Sequence, residues 1–125
     1  MFRILIIDPN TLFRKSLRTI INDRFPTVEI QEAGSAAQGL DEMVNFAPRL
    51  IFIDIYLPDS GGLELAKKIK GSHPEMVIAV FARYDSPEYQ AAANNSGVEH
   101  LIPKDDWTGE DILELIKAVL NRMGQ

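Results

Sequence analysis

No cysteine occurs among the 125 residues. That excludes disulfides, iron–sulfur clusters and cysteine nucleophiles, and it is compatible with a reducing compartment. Basic residues do not prevail either: 13 Lys and Arg stand against 18 Asp and Glu, a formal net charge of −5. Phosphate backbones are held by clustered positive charge, so direct nucleic-acid binding by this domain is not expected. No apolar run approaches the roughly 18 residues of a membrane span. The amino terminus lacks the basic segment, long apolar stretch and cleavage site of a signal peptide. Zinc-ligand spacing and a P-loop are missing too. No internal repeat, linker or low-complexity segment is present. These absences lead us to expect a soluble, cytoplasmic domain with no membrane contact.

The length suits one compact domain, residues 1–125, and an apolar content of 46% suffices for a core. Strand and helix signals alternate throughout. Strands are expected at about 3–7, from Val28 through Ile30 to Ala33, and at 50–55, 76–82 and 98–102. Asn10 is placed to cap a first helix. Leu12, Phe13, Ser16, Leu17, Ile20 and Ile21 recur at helical spacing, so one face is apolar, with Arg14, Lys15 and Arg18 on the wetter side. Ser35 caps a second helix, 36–46, with Leu40, Met43 and Val44 inward. Gly61-Gly62 precedes a third, carrying Leu63, Leu65, Ala66 and Ile69. Ser86-Pro87-Glu88 opens a fourth. Thr108 and Asp111 form a capping box for the fifth. Lys67, Lys68 and Lys70 read as a wet helix face, His73 and His100 as surface or turn residues, and Trp107 as partial packing. Five β–α units make a parallel sheet covered on both sides, an α/β flavodoxin-like (βα)5 three-layer sandwich, with strand order 2-1-3-4-5 chosen over a Rossmann order.

Three buried runs end in chemistry. Ile4-Leu5-Ile6-Ile7 ends in Asp8, and Leu50-Ile51-Phe52-Ile53 ends in Asp54. Val98 to Ile102 ends near Lys104. Open α/β sheets place their sites at the carboxyl ends of strands, and here two acids and an ammonium meet a switch point between strands 1 and 3. That donor set suits a metal ion and a phosphoryl group. Each residue also has a plain reading: Asp54 as a surface loop acid, Asp8 as a helix cap, Lys104 as a solvated lysine.

Asp54 with Leu57-Pro58-Asp59-Ser60-Gly61-Gly62-Leu63-Glu64 resembles the phosphoacceptor signature of two-component response regulator receiver domains. The opening Phe2 to Asp8 with Leu12-Phe13-Arg14, the Tyr84 to Tyr89 segment, Gly97-Val98-Glu99 and Pro103-Lys104 are similar to that family as well. The resemblance covers the chain end to end. It implies that Asp54 takes a phosphoryl group from a sensor histidine kinase or phosphotransfer protein. It also implies that Asp8, Asp54 and the Tyr56 backbone carbonyl hold Mg²⁺, and that Lys104 neutralises phosphoryl charge. It further implies a homodimer or partner face on the fourth helix, fifth strand and fifth helix.

Three positions depart from the family pattern. Pro9 replaces the second acid of an acidic pair and offers neither a side-chain oxygen nor an N–H. Weak Mg²⁺ binding is the expectation, with Asp8 as a direct ligand or Asn10 lending its amide oxygen as alternatives. The end of strand four carries Ala82, or Phe81 by another count, where the family has a hydroxyl; Tyr84 or Ser86 are possible substitutes. Leu101 replaces an aromatic residue that swings inward on activation. The leading expectation is a phosphorylated receiver with weakened chemistry rather than an enzyme. The runner-up is a pseudo-receiver that binds proteins without phosphorylation. A haloacid-dehalogenase-like hydrolase using Asp8 ranks third, because Asn10 stands where its second acid belongs. A flavin binder ranks last, because no Ser/Thr-rich phosphate loop follows strand one.

Overall fold

The computed structural model describes residues 2–83 and 87–122. Ser86 as a helix cap, and Tyr84 and Ser86 as substitute hydroxyls, lie outside those residues. The elements alternate as β1 (Arg3–Ile7), α1 (Thr11–Arg24), β2 (Glu29–Ala33), α2 (Ala36–Phe46), β3 (Leu50–Asp54), α3 (Gly62–Ser72), β4 (Val77–Ala82), α4 (Pro87–Asn95), β5 (His100–Pro103) and α5 (Gly109–Arg122). The strands form one parallel sheet of order β2-β1-β3-β4-β5, the flavodoxin-like order expected rather than a Rossmann one.

Strand alternation divides the core in two. Leu5, Ile7, Ile51, Ile53, Ile78 and Val80 face α2, α3 and α4. Ile4, Ile6, Leu50, Phe52, Ala79 and Phe81 face α1 and α5. Pairing of Ile7 with Ile53 and of Ala82 with Pro103 brings the carboxyl ends of β1, β3 and β5 to one rim. Asp8, Asp54 and Lys104 each continue the parity of the residues facing α1 and α5.

Helix starts follow the sequence. Asn10 accepts the Phe13 N–H at 3.0 Å, and Ser35 accepts the Gln38 N–H at 3.2 Å. Thr108 and Asp111 bond each other's peptide N–H at 2.9 and 3.2 Å.

Other expectations need correction. Leu12 and Val44 are 77% and 79% exposed. A helix turns about 100° per residue, so Leu12 falls about 140° from the buried Leu17. Val44 falls about 110° from the arc of Ala36, Gly39 and Met43. Ser16 is exposed as well. Arg14 and Arg18 are not simply wet, because both fold onto Glu32 of β2 at 3.0 and 2.8 Å. Lys70 leaves its neighbouring lysines to bond Glu99 at 2.5 Å and the Met76 carbonyl, tying α3 to the start of β5. β5 begins at His100 rather than Val98, since Val98 donates instead to the Ala93 carbonyl at the end of α4. His100 is therefore a half-buried strand residue, and burial holds its imidazole below the usual 6.5.

Candidate functional site

The Lys104 ammonium joins the ends of three strands. It donates to Asp8 Oδ2 at 2.8 Å and to Asp54 Oδ1 at 2.9 Å. The other carboxylate oxygens are also engaged. Asp8 Oδ1 accepts the Asn10 N–H at 2.8 Å, and Asp54 Oδ2 accepts the Tyr56 N–H at 3.1 Å. Asp8 is 1% exposed and Asp54 7%, and they are the buried charged residues of the described core. Burial is the largest influence on Asp8 and raises its carboxyl above the usual 3.8, against the pull of Lys104. Burial alone would lower Lys104, but its bonds to both carboxylates outweigh it and hold the ammonium above the usual 10.5.

An aromatic floor lies beneath this trio. Lys104 Nζ sits 4.5 Å from the centre of the Phe13 ring, a cation–π arrangement. Phe13 meets Phe81 edge-on at 5.0 Å and Trp107 at 5.9 Å. Trp107 packs half-buried against this cluster, as its partial-packing reading expects, and meets Phe81 at 5.9 Å as well. Phe81 belongs to this floor. Ala82, paired with Pro103 and accepting the Lys104 N–H at 2.7 Å through its carbonyl, marks the end of β4. Its methyl faces the α4 side, as does Leu101, and neither offers a hydroxyl.

Two supports escaped sequence reasoning. Arg14 Nη1 donates to the Asp8 carbonyl at 2.5 Å while its Nε holds Glu32 at 3.0 Å, fixing the β1–α1 turn against the edge strand. Asp59 accepts the Ala36 and Ala37 N–H groups at 2.9 and 3.0 Å, so the loop after β3 caps the start of α2. A helix N-terminus with free N–H groups favours a carboxylate, yet nothing in the sequence pairs residue 59 with residue 36. Those two peptide bonds hold the Asp59 carboxyl below the usual 3.8. A depressed carboxyl contributes stability above its unfolded value and loses it as pH falls through its folded value. The Ala36 and Ala37 amide signals are therefore expected to titrate together at a pH below 3.8. Titration at or above that value would show that the cap does not form.

Among the described residues no group of three or more His, Cys, Asp or Glu side chains converges. The oxygen donors brought together at the rim are the Asp8 and Asp54 carboxylates. Mg²⁺ keeps several waters and takes one or two carboxylates, so it fits such a set, whereas a closed structural zinc site does not. A cleft of about 530 Å³ between the end of α2 and the loop from α3 to β4, lined by Met43, Val44, His73 and Met76 among others, contains none of the three site residues.

Residues 4–118 match the response regulator receiver domain family. The chain belongs to that family. The receiver is 29% identical over 122 residues to the sensory transduction protein LytT of Enterococcus faecalis, covering 98% of this chain and 49% of that protein. Among solved structures it superposes on a CheY-like receiver domain protein from Methanospirillum hungatei JF-1. The TM-score is 0.87 at 33% identity, over 98% of this chain and 95% of the other. A two-component response regulator from Clostridium difficile gives 0.91 at 25% identity, covering 100% of both chains. The chain spans about half the length of the curated relatives it matches. Receivers are the signalling domains of two-component systems. They generally take a phosphoryl group from a histidine kinase or phosphotransfer protein with Mg²⁺ at the site. No helix of the described residues is long and apolar enough to cross a membrane.

Proposed function

We propose that this receiver accepts a phosphoryl group on Asp54 from the phosphohistidine of a sensor kinase or phosphotransfer protein. One observation carries the reading: a single ammonium bonds both buried carboxylates at the rim where β1, β3 and β5 end. A carboxylate oxygen of Asp54 attacks phosphorus, the phosphorus–nitrogen bond breaks, and the departing imidazole takes the electron pair. The product is an acyl phosphate. Lys104 stands beside the attacked group and offsets the phosphoryl charge. Such transfers depend on positioning and charge stabilisation more than on covalent help from the protein. Asp8, Asp54 and the Tyr56 carbonyl would hold Mg²⁺, which supplies positive charge against phosphoryl oxygens when bound.

The chemistry is weakened. Pro9 adds no oxygen to the metal set, and Ala82 sets a methyl where a hydroxyl would bond a phosphoryl oxygen. Residues 1–125 act as one cytoplasmic receiver that does not turn over a substrate. It makes no direct nucleic-acid contact, and α4, β5 and α5 form its homodimer or partner face. The same departures at Pro9, Ala82 and Leu101 favour the second reading, a pseudo-receiver that works through protein contacts alone. The hydrolase reading fits less well, because Asn10 is committed to capping α1.

Intact mass after incubation with acetyl phosphate and Mg²⁺ separates the three. A single phosphoryl adduct, absent in Asp54→Asn and needing more Mg²⁺ than a receiver with two consecutive acids, is the expected result. No adduct at any Mg²⁺ concentration would leave the pseudo-receiver. Phosphate-ester turnover that needs Asp8 but not Asp54 would leave the hydrolase.

A further inference from the structure

Tyr56 stands two residues past Asp54 and touches it through the main chain, its N–H donating to Asp54 Oδ2 at 3.1 Å. Its ring is 60% exposed, and its hydroxyl shares a hydrogen bond with the Tyr89 hydroxyl of α4 at 2.7 Å. A continuous path therefore leads from the Asp54 carboxylate through one residue to α4. Ala93 is the buried residue of that helix, and Tyr89 is half-buried against the cluster that contains Ala82 and Leu101. Neither Ala82 nor Leu101 carries a side-chain hydrogen-bonding group. Ala82 and Leu101, beneath α4, thus contribute no side-chain bond of their own toward Asp54.

We propose that the Tyr56–Tyr89 phenol pair carries the chemical state of Asp54 to α4. This rests on the phosphoacceptor reading of Asp54. In the free carboxylate, Oδ2 shares the negative charge and its bond to Tyr56 is charge-assisted, which makes such bonds roughly twice as strong as neutral ones. When either oxygen bonds to phosphorus, the shared charge is lost from Oδ2. It becomes an ester oxygen or a neutral carbonyl, and the hold on the Tyr56 peptide weakens. The Tyr56 main chain is then free to shift, and its ring takes the Tyr89 hydroxyl with it or releases it. Either outcome changes the tie between Asp54 and α4. A ligand moves an equilibrium only through contacts that differ between its two states, and the Tyr56 N–H bond is such a contact.

The test uses beryllofluoride with Mg²⁺, which binds the aspartate carboxylate in place of a phosphoryl group, and follows backbone amide signals. In the unaltered protein, signals around Asp54 and Tyr56 and those of Tyr89 to Asn95 are expected to move together. In Tyr56→Phe the signals around Asp54 should still move while those of α4 stay in place, and Tyr89→Phe should reproduce that split. A merely structural role would shift α4 signals before beryllofluoride is added and leave the response intact. If α4 responds fully in both variants, the phenol pair is not the link. If the Asp54 signals move in the unaltered protein and α4 does not, the coupling fails and the phosphoacceptor reading stands. If nothing near Asp54 moves, both fail.

Discussion

Gly62→Ala is expected to lower the stability of the receiver by roughly 2–4 kcal/mol, read as a fall in the urea midpoint or of roughly 6–15 °C in Tm. A Cβ built on Gly62 would lie 2.2 Å from the Asp54 carbonyl oxygen and 2.7 Å from Ile55 Cα. Both are main-chain atoms at the end of a central strand, and no rotamer change relieves them. Gly62 also donates its N–H to the Ile55 carbonyl at 2.8 Å, so α3 begins docked against the strand that ends in Asp54. Two other glycines calibrate the effect. At Gly39 the added carbon meets Ile7 Cδ1 at 2.4 Å and Cγ1 at 3.0 Å, side-chain rather than main-chain atoms, but of a fully buried residue. Ala there gains about 1 kcal/mol of helix propensity, which offsets only part of roughly 1–3 kcal/mol of overpacking, so a smaller loss than at Gly62 is expected. At Gly71, inside α3, nothing lies within 4 Å, and Ala should stabilise by about 0.5–1 kcal/mol. A Gly62→Ala protein as stable as the parent would mean that α3 does not approach β3 this closely.

That contact also shows where sequence reading works. The order of strands, the five helices and the convergence of Asp8, Asp54 and Lys104 follow from periodicity and from the rule that parallel sheets carry their sites at one rim. Local signals such as Asn10, Ser35 and the Thr108–Asp111 box were legible because cap and partner lie within a turn of each other. What stayed hidden depends on the path of loops. Asp59 reaches α2 only because the loop after β3 folds back across it. Arg14 finds Glu32, Lys70 finds Glu99, and Tyr89 finds Tyr56 across gaps that no period encodes. Leu12 and Val44 show the opposite error. Both satisfy a helical repeat, but the arc that a helix buries is set by where it can come closest, and for α2 that point is Gly39.

The second large effect concerns the ammonium. Lys104→Met should destabilise the receiver by roughly 2–4 kcal/mol at neutral pH. Removing one partner of a buried ion pair typically costs about 3–5 kcal/mol, and the 23% exposure of the lysine side chain discounts that. Two carboxylates would then share a buried rim with no cation. The pH dependence separates this from simple loss of packing. Asp8 already has a raised carboxyl in the parent, so the folded state binds its proton more tightly than the unfolded chain does. For such a carboxyl, stability rises as pH falls through the folded value and is fully regained below the usual 3.8. Without Lys104 its hydrogen bond and charge no longer lower Asp8, only the Asn10 peptide bond still does, and the folded value climbs further, so the variant should recover toward the parent beginning at a higher pH. The lysine has the opposite limit. Its raised value means its contribution is complete below the usual 10.5 and lost as pH rises through the folded value, so parent and variant should converge in strong alkali. Mg²⁺ offers a second reading of the same charge. A cation bound only by the folded state stabilises by mass action, so added Mg²⁺ should raise the Tm of Lys104→Met more than that of the parent. Asp8→Asn removes the carboxyl with the raised value and should reduce the cost of Lys104→Met in a double-mutant cycle, because the two residues share one bond. A variant equally destabilised from pH 4 to pH 9, insensitive to Mg²⁺ and additive with Asp8→Asn, would show that Lys104 merely fills space above Phe13.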